Sequence, residues 1–169
     1  MEIKHVVFDL NKDSAHGPGC FGASFYQTYW DIVQNEVVSA VLELFTTGWM
    51  LPNFNSNTLI LIPRSPDYDF IEQYIPIALA NFKFKIISKI LADRLSIILT
   101  NIMSKQQKGF IRGKNIRDCI ALTSEAFNLL DKKSFGGNLA FKIDVTKAFD
   151  TLSWEFLIFV LKTFGFNCK

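Results

Sequence analysis

The segment Phe141-Lys142-Ile143-Asp144-Val145-Thr146-Lys147-Ala148-Phe149-Asp150 places a carboxylate at the end of an apolar, strand-like run. A carboxylate there is costly unless a cation or a metal ion pairs with it. A bound metal could hold a nucleoside triphosphate and activate an attacking hydroxyl. Phe149, five residues beyond Asp144, could then stack under a sugar. Read from the residues alone, Asp144 serves equally well as a plain strand-end cap.

A second pattern is electrostatic. Nine basic residues fall between Lys83 and Arg117: Lys83, Lys85, Lys89, Arg94, Lys105, Lys108, Arg112, Lys114 and Arg117. The only acid among them is Asp93, which leaves nine basic and fifteen acidic residues for the rest of the chain. With Phe82, Phe84 and Phe110 interleaved, this stretch suits a polyanion; the plainer alternative is a solvated helix face and a polar loop. Two further motifs fail. Asp9-Leu10-Asn11-Lys12-Asp13 opens like a calcium loop, but Ser14 stands where that loop needs Gly and Cys20 where it needs Glu. Gly109-Phe110-Ile111-Arg112-Gly113-Lys114-Asn115 has its glycines too close for a phosphate loop, and no Ser or Thr follows the Lys. His5 and His16 have no ligand-like spacing.

The elements that must position these groups follow from periodicity. Ile3, Val6, Val7 and Leu10 predict a helix over residues 2–12. After a turn-rich segment at 13–19, one long amphipathic helix is expected over about 23–46, ending at Gly48. Thr58 to Ile62, stopped by Pro63, reads as a buried strand, and 64–75 as a loop. Helices are expected over 83–101, 115–131 and 152–164, and a strand over Leu139–Ile143. The class is α+β and helix-rich, and two strands alone make no comfortable sheet.

Composition agrees with a folded chain. The 169 residues are 49% hydrophobic and 20% charged, with 17 Phe and a net charge of +2, which excludes disorder and a simple basic or acidic tail. Cys20, Cys119 and Cys168 form neither a disulfide framework nor a zinc pair, which favours a reducing, intracellular compartment, nucleus or cytoplasm. No signal peptide is evident at Met1. The most apolar stretch, Ile86 to Met103, is broken by Lys89, Asp93 and Arg94, too charged for a membrane span.

In order along the chain, six blocks resemble the reverse transcriptase domain of non-LTR retrotransposons (long interspersed elements), especially the plant type. These are Asn11 to Pro18, Thr58 to Arg64, Tyr74-Ile75-Pro76-Ile77-Ala78-Leu79, Leu91 to Leu95, Gln107 to Lys114 and Asp144 to Asp150, the last similar to Asp-x-x-x-Ala-Phe-Asp. The resemblance implies a right-hand polymerase. Residues 1–135 would be a fingers-like part, and 136–169 the first strand and helix of the palm. It implies nucleotidyl transfer by two metal ions, Mg²⁺, with an RNA template, a DNA primer and dNTP as partners and no membrane.

By the same resemblance, Asp144 would be the catalytic, metal-binding carboxylate, with the Val145 carbonyl near the metals. Phe149 would be the gate against a ribose 2′-hydroxyl, and Arg64 would face the triphosphate. Gln107, Gly109 and Phe110 would lie on the template side. Lys105, Lys108, Arg112 and Lys114, within the basic stretch, would contact nucleic acid.

The chain departs from the pattern at His16, Gly19 and Cys20 in the opening motif. It departs again at Ile75, where the family carries an Arg, and at Lys114, where Lys replaces Arg and loses a bidentate fork. The aromatic-x-Asp-Asp motif does not occur in the 169 residues. The expectation is therefore an N-terminal fragment, inactive alone, with a non-catalytic nucleic-acid-binding module as the alternative.

Overall fold

The computed structural model describes residues 2–19, 21–64, 66, 69–145 and 148–167. Cys20, Cys168, Thr146 and Lys147 lie outside the described residues, as does the side chain of Phe149. Seven α-helices, one 3-10 turn at Ile71–Gln73 and one two-stranded sheet are present among those described: α1 Glu2–Asp9, α2 Ala23–Thr28, α3 Trp30–Thr47, β1 Asn57–Pro63, β2 Tyr74–Ala80, α4 Phe82–Ile102, α5 Ile116–Leu130, α6 Ala148–Thr151 and α7 Trp154–Thr163. The expected helix-rich α+β class is the observed one. The chain divides into two compact units, Met1–Leu95 and Ser96–Lys169.

In the first unit, α1 to α4 share one apolar core. Its members are Val6 and Val7 of α1, Ala23 and Tyr26 of α2, Trp30 and Val41 of α3, Phe54, and Phe82, Ile86, Ile87 and Ile90 of α4. Tyr26 stacks on Phe82 at 4.6 Å between ring centroids. Gln27 is the one buried polar side chain among the described residues. Its Nε2 donates to the carbonyls of Val7 (2.8 Å) and Leu10 (2.9 Å), so α2 satisfies the C-terminal oxygens that α1 leaves free. At the other end of α1, Arg94 donates to Glu2 through Nε (2.8 Å) and Nη2 (2.7 Å). The guanidinium also lies over Phe45, 4.8 Å from the ring centre. Lys89 pairs with Asp9 (3.1 Å) and Asp93 (3.0 Å).

The expected single helix over 23–46 is two. Tyr29 leaves helical geometry at φ −102°, ψ 25°, although its N–H still reaches the Phe25 carbonyl. Four aromatics at 25, 26, 29 and 30 crowd this turn, and the break buries Tyr26 and Trp30 while Tyr29 stays exposed. Gly48 closes α3 as expected, in the left-handed conformation at φ 72°.

The strand at 57–63 is present but not buried. It pairs antiparallel with β2, from Asn57 opposite Ala80 to Pro63 opposite Tyr74, and every residue of β1 is exposed. β2 was not expected; Pro76 obscures it, since proline is tolerated only on an edge strand, which both strands of a hairpin are. The hairpin's base is anchored by Gly17. A Cβ there would lie 2.5 Å from the Ala80 carbonyl group, so only glycine fits.

The second unit is differently built. Among its described residues Ile111 is the one buried hydrophobic, and α5 and α7 bury none. The stretch Leu139–Ile143, expected as a strand, is not one: no described strand pairs with it, and Leu139, Phe141 and Ile143 are 76–88% exposed. A strand needs a ladder partner, which apolar alternation alone does not supply. The better-packed region is therefore residues 2–95, including α1, rather than 20–131. Asn138 ties the end of α5, its Nδ2 donating to the carbonyls of Leu130 (2.8 Å) and Lys132 (2.6 Å).

Three outcomes follow from this distribution of burial. Ile90→Ala should cost about 2–5 kcal/mol in denaturant unfolding, while Ile97→Ala, at an exposed position of the same helix, should stay within about 0.5 kcal/mol. In hydrogen exchange, amides at 139–143 should exchange far faster than those at 86–90. The third concerns pH. Hydrogen bonds from Arg94 hold the Glu2 carboxyl below its ordinary 4.5. Its contribution is complete above that value and fades as pH falls through the lowered one. Glu2→Gln should flatten this acid-side loss, and the effect should be small because the pair is exposed.

Candidate nucleic-acid interface

The basic stretch divides into two parts with different roles. Every cation from 83 to 94 is engaged inside the first unit. Lys83 lies over the Phe54 ring at 5.2 Å, and Lys85 Nζ donates to the Ala15 carbonyl at 2.7 Å. Lys89 and Arg94 hold the ion pairs that anchor α1. Lys85, Lys89 and Arg94 thus tie the 13–19 loop and α1 to α4, and Lys83 packs on Phe54.

The loop between α4 and α5 differs. The Gln107 N–H closes a turn on the Ser104 carbonyl (3.2 Å), and the Lys114 N–H closes another on Ile111 (3.1 Å). Gly113, at φ 78°, occupies the third position of the second turn, where a left-handed residue is required. Gln107 Nε2 donates to the Gly109 carbonyl (3.1 Å), and Lys114 Nζ reaches back to the Ser104 carbonyl (2.8 Å). Asn115 then caps α5, its Oδ1 accepting from the Arg117 N–H at 3.0 Å. Among the described residues, the side chains of Lys105, Lys108, Arg112 and Arg117 make no hydrogen bond or ion pair. The fold thus gathers four open cations around one short, internally tied loop.

The remaining candidates lie elsewhere. Arg64 sits in the first unit just past β1, its N–H donating to the Gln73 carbonyl (2.9 Å) and extending the hairpin by one bond. Asp144 and Val145 lie on an exposed, irregular segment of the second unit, and Phe149 falls within α6. Among the described residues, no group of three or more His, Cys, Asp or Glu is placed to hold a metal ion. Mg²⁺ is commonly held by one or two carboxylates together with substrate phosphates, and a two-metal centre needs more than Asp144. These residues alone do not fit such a centre. No described helix is long and apolar enough to cross a membrane. Sequence reasoning overlooked Gly17, which joins the opening motif to the end of β2; the glycine in Ala15-His16-Gly17-Pro18 was the available signal.

Residues 64–169 match the family model described as Reverse transcriptase (RNA-dependent DNA polymerase). The chain is also 27% identical over 153 residues to the "Transposon TX1 uncharacterized 149 kDa protein" of Xenopus laevis. That match covers 89% of this chain and 12% of the relative, so the chain spans a small part of the relative's length.

The division of the basic stretch predicts a matching division of phenotype. Reversing Lys105, Lys108 and Arg112 to Glu should abolish binding to a labelled oligonucleotide and leave the melting temperature unchanged. Reversing Lys89 and Arg94 should lower the melting temperature with little change in binding per folded molecule. Binding should weaken steeply with added salt.

Proposed function

The chain belongs to the reverse transcriptase family, and on that premise we propose that it supplies the fingers-like part, residues 1–135, and the opening of the palm, 136–169, of a non-LTR retrotransposon polymerase. The observation that carries this reading is the loop between α4 and α5. It lies inside the family match and keeps Lys105, Lys108 and Arg112 open, whereas the cations upstream are paired within the fold. A transposon protein as a relative supports the choice of element.

In this proposal the loop carries the template strand. Lys105, Lys108 and Arg112 meet phosphates, Lys114 holds the loop closed, and Gln107, Gly109 and Phe110 face the template. Arg64, at the hairpin tip, faces the incoming triphosphate. Together with carboxylates from the rest of an intact polymerase, Asp144 would supply one ligand toward a divalent metal, with the Val145 carbonyl near it, and Phe149 would bar a ribose 2′-hydroxyl. The family generally works with divalent metal, which stabilises the attacking and leaving oxygens of phosphoryl transfer. No aromatic-x-Asp-Asp segment occurs in the 169 residues, and no catalytic step is assigned to them alone. By themselves they form a nucleic-acid-binding module.

Primer extension tests the catalytic half of this reading. The 169-residue chain, given an RNA template, a DNA primer, dNTPs and Mg²⁺, should yield no extended product while still retarding the template–primer in a gel. Template-dependent extension that disappears in Asp144→Ala would overturn it.

A further inference from the structure

Phe110 combines features that folding alone does not explain. Its ring is fully exposed, at 107% of the reference accessibility. Its backbone adopts φ 60°, a left-handed conformation that side-chain-bearing residues rarely take. Gly109, the neighbour that could adopt such a value without strain, does not. The loop is tied on both sides of Phe110, by Gln107 on Gly109 and by Lys114 on Ile111 and Ser104. Ile111, the next residue, is buried. The backbone therefore turns Ile111 inward and Phe110 outward, and burial of Ile111 accounts for the turn but not for an aromatic ring left in solvent. Two residues to either side stand Lys108 and Arg112, both without an intramolecular partner among the described residues.

We propose that Phe110 is a stacking platform for an unpaired nucleobase, with Lys108 and Arg112 taking phosphates of the same strand; this rests on the loop's proposed role as a nucleic-acid contact. The ligand class is single-stranded RNA or DNA. A paired base inside a duplex presents its edge in a groove and keeps its faces stacked on its neighbours, so the ring has nothing to cover there. An exposed aromatic between cations matches the way single strands are bound without sequence preference, by stacking plus charge.

The test uses the 169-residue chain and a twelve-nucleotide strand with a central 2-aminopurine, alone or in a blunt duplex. Binding of the single strand should quench the fluorophore; binding of the duplex should not. Phe110→Gly should abolish the quench and weaken single-strand binding roughly 5- to 150-fold, the range that base–aromatic stacking energies give. The salt slope should be unaltered, because the phosphate contacts remain. The same variant should melt no lower than the parent, since glycine relieves the strained φ. Phe135→Ala, at an equally exposed ring, should change affinity by less than about twofold. A lower melting temperature in Phe110→Gly, an equal loss on duplex, or an equal loss in Phe135→Ala would overturn the proposal. Salt-sensitive binding that survives Phe110→Gly would remove the stacking role alone. Absence of binding to either oligonucleotide would remove the loop's proposed function with it.

Discussion

The fully buried face of α4 is the constraint on which the first unit depends. Phe82, Ile86, Ile87 and Ile90 form one side of the helix, and α1, α2 and α3 close on it. The ion pairs of Lys89 and Arg94 stand on the same helix and fix the ends of α1. Burial along α4 stops at Ile90, although the helix continues to Ile102. Past that point no side chain of the helix is fully buried, and Leu91, Ile97 and Ile98 are exposed. A change at Ile86 or Ile90 therefore reaches every helix of the unit, whereas a change at Ile97 reaches none of its core.

Periodicity located the helices well because a packed helix face leaves a 3.6-residue signal. Ile86, Ile87 and Ile90 were legible for this reason, and Gly48 as a stop was equally plain. The misreadings arose where structure depends on partners distant in sequence. Thr58 to Ile62 looks like a core strand, yet its one ladder partner among the described residues is β2, and all of β1 and the middle of β2 are exposed. Leu139 to Ile143 has the same apolar character and no described ladder partner. Tyr29 breaks a stripe that continues through it, because crowding of aromatic rings is not a periodic property. At the candidate site, the block Gln107 to Lys114 could be recognised in the sequence. Its division of labour could not: which lysine staples the loop and which remains open depends on where Ser104 lies.

Charge tells a similar story. The sequence presents nine basic residues as one patch, but the fold uses the first four as mechanical parts. Lys85 holds the Ala15 carbonyl and Lys89 bridges two helices. Carboxylates offset the charge of Lys89 and Arg94, whereas no described carboxylate pairs with the cations from Lys105 to Arg117. Net charge over a window therefore overstates the contact surface whenever a helix within it carries tertiary ion pairs.

The core of the first unit straddles the start of the family match. The family match begins at residue 64. Among the described residues, seven of the twelve buried hydrophobics precede it: Val6, Val7, Ala23, Tyr26, Trp30, Val41 and Phe54. A piece of chain cut at residue 64 would keep Phe82, Ile86, Ile87 and Ile90 and lose the buried residues of α1, α2 and α3 that they pack against. It would also strip Gly17 from the base of the hairpin and Glu2 from Arg94. The part of the family match that lies in the first unit, β2 and the start of α4, therefore depends for its packing on helices upstream of it.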